Sequence, residues 1–385
     1  MMTPYAHIAA NVRRLRQAAH LTQSALAEAS GRSAPCIKKI ESGKHLPETS
    51  TLMAIARALG VSVFDLTRKP EPLDAVRFRD RKTVLRECER FVILNNVARW
   101  FEEYAFLEEV TGTASHLDRA PFKGVLKSPE KLAAKFREVF GIGRNAPIYD
   151  PCALLEQAGI KVFFYDVQAA GFSGLSVSDD KRGDAVIVND SGDISTEHKI
   201  FTAFHEVGHL LMHLTGYKSD ESREDPQEEA QADEFASYLL MPREAFRTIW
   251  NETRGNPFLD RVFRTKQYFR VSYRAVLKRL VDEKIAQKDI WAKFAQMYNR
   301  ATGGNLQGHR EPFAMEPEHI NRYGFWDDRF ARLVFDAGVK EKITLSKGAD
   351  LLKIPVTEFR DQVFSVRRGR FAASGEGGEV GSWRE

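Results

Sequence analysis

An α+β fold, mainly α with a small β-sheet, is predicted by three features of the 385-residue sequence. Apolar residues recur at helical spacing through most of the chain, in segments often opened by Ser, Thr or Asp and closed by Gly. Between residues 160 and 189 the pattern changes to short β-branched and aromatic runs joined by turn residues. The length also exceeds what one core normally holds, so two to four domains are expected.

Five short helices are expected over residues 5–66, and KPEP at 69–72 breaks the pattern. Residues 80–110 read as one long helix rich in aromatics (Phe91, Trp100, Phe101, Tyr104, Phe106). It can supply a dimer contact or act as a packing spacer, and the second reading is favoured. After a loop from Gly112 to Lys127, Ser128-Pro129 and Asp150-Pro151 each cap a helix with Pro at its first position. IKVFFYDV at 160–167, FSGLSVS at 172–178 and AVIVN at 185–189 read as strands, the last two joined by DDKRGD. Ser195 caps a helix to about Leu214, closed by Gly216. An acidic loop, KSDESREDPQ, leads to a helix at about 228–240. Helices then continue through VSYRAVLKRL at 271–280 and over most of 293–370, before a disordered tail. The expected domains are 1–69, a helical linker at 70–126, 127–290, a helical region at 291–370 and the tail at 371–385.

The composition, 43% hydrophobic and 29% charged, is ordinary for a globular protein. No apolar run approaches a membrane span, and the N-terminal MMTPYAHIAANVRRLRQ lacks the apolar core of a signal peptide. Cys36, Cys88 and Cys152 form neither a disulfide framework nor a Cys-x-x-Cys site. A cytoplasmic location is therefore expected. The net charge of +4 is unevenly spread: residues 1–69 carry ten Lys/Arg against four acids, and the remainder of the chain is slightly acidic. A basic excess in one small domain suits a polyanion partner.

In that domain Ile8, Val12 and Leu15 share a face of the first helix. Thr22 can cap the second helix, which buries Leu26 and Ala27, and Gly31 provides a turn. Ser33 can cap the third, which turns Ile37 and Ile40 inward, and the fourth buries Leu52, Ile55, Ala56 and Leu59. The run of Arg13, Arg14, Leu15 and Arg16, with L-T-Q at 21–23, Leu26-Ala27, I-x-x-I-E-S-G at 37–43, Pro47 and I-A-x-A-L-G-V at 55–61, resembles the Xre/Cro-type helix-turn-helix family. The resemblance implies that the third helix enters the major groove of double-stranded DNA by its N-terminal end. Ala34, Pro35 and Lys38 would face base edges, beside the capping Ser33. Gln23, Lys39 and Lys44 would meet phosphates. The plain alternative is a small bundle with a solvated basic face, or a protein adaptor.

His205-Glu206-Val207-Gly208-His209 is an H-E-x-x-H motif inside a predicted helix. Residues four apart stand about 6 Å along the axis and nearly on one face, so two imidazoles can converge on one Zn2+. Glu206 lies off that face but next to the metal, placed to take a proton from an activated water and pass it to a leaving amine. Two core histidines with no metal are the alternative. However, Phe201, Phe204, Leu210, Leu211 and Met212 make the helix a buried one, where an unpartnered Glu is costly. His213 continues the stripe about 12 Å from His205, too far to share that ion, and reads as a supporting group. The third ligand should come from the helix at 228–240. There Glu228 and Glu229 flank the apolar face of Ala232, Phe235, Ala236, Leu239 and Leu240 equally, so periodicity does not choose between them.

F-T-x-x-H-E-x-G-H-L-L-M-H at 201–213, followed by E-x-Q-A-D-x-F-A-x-x-L-L-M-P at 229–242, resembles the ImmA/IrrE metallopeptidase family over roughly 127–290. The resemblance implies a zincin-like domain, and it implies Glu229 as third ligand, thirteen residues before the Pro. Asp233, one turn on, could orient a ligand. Tyr165, Tyr217 and His198 are candidate transition-state helpers, and nothing singles one out. In the C-terminal region, ITLSKGADLLKIPVTEF at 343–359 has the shape of two helices around a turn, followed by Arg360, Arg367, Arg368 and Arg370. A helical lid or oligomerisation module is favoured there over a second nucleic-acid contact.

The expected function is a DNA-binding transcriptional regulator carrying a zinc-dependent endopeptidase. The family resemblance implies a repressor or antitoxin as the protein substrate, in a stress or mobile-element response. A ligand- or stress-sensing regulator that does not cleave is the alternative, as is a toxin-antitoxin component that only holds a partner. Glu206 favours cleavage over both, because a structural zinc needs no general base. Whether the protein is a homodimer is left open.

Overall fold

The computed structural model describes residues 6–19, 21–61, 63–67, 73, 75–80, 87–167, 172–214, 225–306, 316–322, 325 and 328–374. Residues 218–224 of the expected acidic loop with Tyr217, the KPEP segment with Arg68 and Lys69, and tail residues 375–385 lie outside them, while Asp225 caps the helix that begins at Pro226. The fold is mostly helical with one four-stranded mixed sheet. The chain divides into two compact units. One comprises residues 1–73, 80–102 and 167–172, and the other 74–79, 103–166 and 173–385.

The first unit opens with five helices: α1 (Ala6–Ala18), α2 (Gln23–Ala29), α3 (Ala34–Glu41), α4 (Thr49–Leu59) and α5 (Val63–Thr67). The caps follow the sequence signals. Thr22 accepts from the Ala25 N–H at 3.0 Å and Ser33 from the Cys36 N–H at 3.3 Å. Gly31 and Gly60 take left-handed backbone at φ 63° and 66°, where a β-carbon would be strained. Val12, Leu26, Ile37, Ile40 and Ile55 close an independent core. Asn11 donates to the Leu66 carbonyl at 3.2 Å, which holds α5 on α1.

Residues 75–80 depart from the expected helical linker. They form strand β1 (Ala75–Asp80) ahead of α6 (Glu87–Thr111). The second unit then carries α7 (Pro129–Val139), α8 (Pro151–Gln157), β2 (Ile160–Tyr165), β3 (Phe172–Asp179), β4 (Gly183–Asn189), α9 (Thr196–Met212) and α10 (Pro226–Leu240). After these come α11 (Arg243–Glu252), α12 (Phe258–Phe269), α13 (Tyr273–Asp282), α14 (Ile290–Thr302), α15 (Arg329–Val339), α16 (Leu345–Leu352) and α17 (Val356–Ser374). The sheet order is β1-β3-β4-β2. β3 and β4 form the expected antiparallel hairpin, while β2 runs parallel to β4 with Val162 opposite Val186. The fourth strand was not legible in the sequence, because six residues with two arginines lack the apolar run of a central strand.

α9 packs on β4 and, across its other side, on α10. Two glycines set these distances. A β-carbon on Gly208 would lie 3.1 Å from the Phe235 ring and 3.2 Å from the Ala232 Cα. One on Gly174 would lie 2.7 Å from both the Ile187 carbonyl oxygen and the Thr202 methyl. The backbones of α9, α10 and β3 therefore approach more closely than residues with side chains would allow.

The start of α9 is anchored by a buried ion cluster. Lys266 on α12 stands 3.0 Å from Glu197 and 2.9 Å from Glu316, and also donates to the carbonyls of Pro317 and Glu318. Glu197 accepts from the Ile320 N–H at 2.9 Å. Burial pushes the Glu316 carboxyl up to about 7, against the pull of Lys266. With its folded pKa above the ordinary 4.5, the folded state holds a proton that the unfolded chain lacks. Its stabilising contribution is complete below pH 4.5 and is lost as pH rises through about 7. Glu316→Gln should accordingly cost more stability at pH 5 than at pH 8, by on the order of 1–3 kcal/mol. Urea unfolding of both proteins at the two pH values measures the difference, and equal costs would refute it.

Candidate functional site

α9 delivers His205 and His209 on one face, and the close contact at Gly208 brings the first turns of α10 against them. The Nε2 atoms of the two imidazoles lie 2.9 Å apart. One Glu229 oxygen is 3.1 Å from His205 Nε2 and the other 3.1 Å from His209 Nε2. The structure thus brings Glu229 to the pair. Glu228 turns aside and pairs with Arg77 of β1. Among the described residues, His205, His209 and Glu229 form a cluster whose ligand atoms all lie within 4.8 Å of one another.

The outer ring nitrogens fix the inner ones. His205 Nδ1 donates to Asp233 Oδ1 at 2.8 Å, which in the neutral ring leaves Nε2 as the nitrogen with the lone pair. His213 Nε2 donates to the Gln231 side-chain carbonyl at 2.9 Å, which leaves His213 Nδ1 as an acceptor. His209 Nδ1, 2.9 Å away, then donates to it, and His209 Nε2 also presents a lone pair. Burial pushes the His209 imidazole down to about 3 and lowers His213 too, so both are neutral at neutral pH. With both rings neutral, two imidazole lone pairs and a carboxylate face one another, an arrangement that a cation between them stabilises. Two nitrogens and one oxygen make a donor set that suits Zn2+. The donor set therefore fits the metal expected from the sequence. Asp233 and His213 stand on the outer nitrogens of His205 and His209.

Glu206 is fully buried beside His205 and accepts from the Ser176 hydroxyl of β3 at 2.6 Å. A charge-assisted bond of this kind holds the carboxylate in one orientation. Ser176 was missed in the sequence, where one serine in an alternating strand carries no signal. Gln231 was a readable position of the second motif, but nothing in the spacing indicated its bond to His213. Of the candidate helpers, His198 stands seven residues before His205 with its Nε2 3.5 Å from the Ser173 hydroxyl, and Tyr165 stacks on Phe163.

In the first unit, α3 exposes Pro35, Lys38 and Lys39 opposite buried Ile37 and Ile40; Ala34 is half-buried, and Ser33 and Lys44 are exposed. Not all of the basic excess faces outward. Arg14 is buried on Asn96, and Arg16 is locked on Glu41, which also receives the Gln23 amide at 2.7 Å. Gln23 is thereby tied into the bundle, which limits it as a phosphate contact. At the other end of the chain Arg360 pairs with Asp361 and Arg367 with Glu341.

Comparison with known proteins agrees with both halves. Residues 7–67 match the helix-turn-helix domain, and residues 155–281 match the IrrE N-terminal-like domain, a peptidase family. The chain thus joins a DNA-binding type of domain to a peptidase-like one. No curated protein matches it. Among solved structures, PlcR of Bacillus thuringiensis, in complex with the peptide PapR7 and DNA, aligns at 12% identity over 94% of this chain and 98% of its own, with a TM-score of 0.18. ComR from Streptococcus suis aligns at 15% identity over 96% of each chain, with a TM-score of 0.16. At such scores the chains as wholes do not superpose. No helix among the described residues is long and apolar enough to cross a membrane.

Proposed function

We propose that this joining of a helix-turn-helix domain to an IrrE-like peptidase domain makes a transcriptional regulator that cleaves a partner protein. The convergence of His205, His209 and Glu229 beside buried Glu206 carries the reading. His205, His209 and Glu229 would hold Zn2+, which supplies Lewis-acid polarisation and an acidified water at neutral pH. Asp233 and His213 hold the outer nitrogens of His205 and His209, which aims both Nε2 atoms inward. Glu206 receives a proton on its carboxylate and hands it to the leaving amine, while Ser176 keeps that carboxylate oriented. A repressor or antitoxin is the substrate class this reading favours, because cleaving one would change transcription at the operator the first domain occupies. The test is a time course of candidate partner cleavage by the zinc-loaded wild type and by Glu206→Gln. Equal rates would reject proteolysis and favour a regulator that only senses a ligand.

On the DNA side, Lys38 and Lys39 should behave differently. Lys38→Ala should relax preference for one operator sequence, by about 1–3 kcal/mol at the base it reads. Lys39→Ala should weaken binding to all duplexes alike and flatten the logarithmic salt slope by about 1. Gel shifts at several salt concentrations separate the two. Indifference of both variants would remove α3 from the interface.

A further inference from the structure

We infer that the outer edge of β3 is a docking edge for an extended protein segment bearing an arginine, and that the chain's own residues 75–79 now occupy it. The inference rests on the peptidase reading and names how that site would take its substrate.

β1 is the neighbour of β3 in the sheet, and without it the sheet would end at β3, the strand that carries Ser176 to Glu206. A strand edge beside a reactive centre offers backbone donors and acceptors to any extended chain, whatever its sequence. The present occupant reaches the centre itself. Arg77 pairs with Glu228, and its other terminal nitrogen lies 3.0 Å from the Glu229 carboxylate. Beside this cover His205 and Glu206 are fully buried and His209 is 1% exposed, while the Glu229 side chain that Arg77 pairs with keeps 20% of its surface open. Ala75, Val76 and Arg77 are each half-buried: Ala75 packs on the margin of the main core, and Arg77 is held by its ion pairs.

Glu229 serves the metal once zinc is bound. Glu228 is then the group left to receive a basic side chain from an incoming segment, in the place Arg77 fills. It thereby becomes the specificity-determining residue for an arginine in the substrate. The first unit and α6 flank β1 in sequence, so a signal that withdraws residues 75–79 would open the edge and the centre together.

The probe is a fluorescein-labelled peptide with the sequence of residues 73–81, read by anisotropy on the full-length chain. Arg77→Asp should bind it about ten- to a hundredfold more tightly than the wild type does, because repulsion from Glu228 and Glu229 expels the resident strand. In that background, Glu228→Gln should weaken the peptide about tenfold with zinc content unchanged. A peptide with Glu in place of its Arg77 should lose binding by a similar factor. Arg77→Ala, checked for a native thermal melt, serves if the Asp variant fails to fold. Equal affinity for wild type and variant, no binding to either, or indifference to the peptide's arginine would each overturn the inference. Anisotropy reports docking and not turnover, so the same titrations on a chain that also carries Glu206→Gln should be unchanged. If Glu206→Gln cleaves as fast as the wild type, the peptidase reading fails while the docking edge stands.

Discussion

Glu206→Gln is expected to lower peptide-bond hydrolysis by about 10²–10⁴-fold, or about 2.7–5.5 kcal/mol of barrier, with zinc content and DNA affinity nearly unchanged. The side chain is buried and accepts the Ser176 hydroxyl at 2.6 Å. Gln keeps the volume and the acceptor oxygen, so the α9–β3 contact survives. What Gln lacks is the ability to take and return a proton. Zinc stays, because the three converging ligand atoms belong to His205, His209 and Glu229. Operator binding stays, because the first unit closes its own core of Val12, Leu26, Ile37 and Ile55. Cleavage rates, metal analysis and gel shifts on one preparation check all three. Loss of operator binding with zinc retained would show that both domains share one conformational equilibrium. If cleavage relieves repression, the variant should occupy its operator and fail to derepress a reporter in cells.

His205→Ala and Glu229→Ala are each expected to take the purified protein from about one Zn2+ per chain to nearly none. Each removes one of three protein ligands, and zinc bound by two is held far less tightly. Glu229→Ala should also remove one of the two carboxylates that pair with Arg77, whereas Glu228→Ala should leave the metal in place, since Glu228 faces Arg77 and not the imidazoles. Metal analysis after dialysis against a weak chelator decides between them. Full occupancy in both His205→Ala and Glu229→Ala would sink the site. Zinc retained in Glu229→Ala but lost in Glu228→Ala would transfer the third ligand. His213→Ala should lower zinc affinity more modestly, about 10–100-fold, because it acts through the outer nitrogen of His209.

Much of this protein was legible from local pattern alone. The caps at Thr22, Ser33, Asp150 and Ser195 all accept from the backbone N–H three residues on, as their positions at helix starts require. The i,i+4 spacing of His205 and His209 is a property of one helix, so their shared face needed no knowledge of the rest of the chain. The same holds for the inward face of Ile37 and Ile40. Each of these features is decided by hydrogen bonds and periodicity within about four residues.

The choice of Glu229 over Glu228 is of another kind. Both sit near the start of α10 at the margin of its apolar face, and only the approach of α10 to α9 at Gly208 and Ala232 determines which carboxylate meets the imidazoles. The link from His213 through His209, the grip of Ser176 on Glu206, and the pairing of residues 75–80 with β3 likewise join segments from about 20 to 150 residues apart or depend on such neighbours. Residue type and spacing along the chain state what a side chain can bond. Which partner it meets depends on where packing brings distant backbones together, and here two glycines and an edge strand decided that.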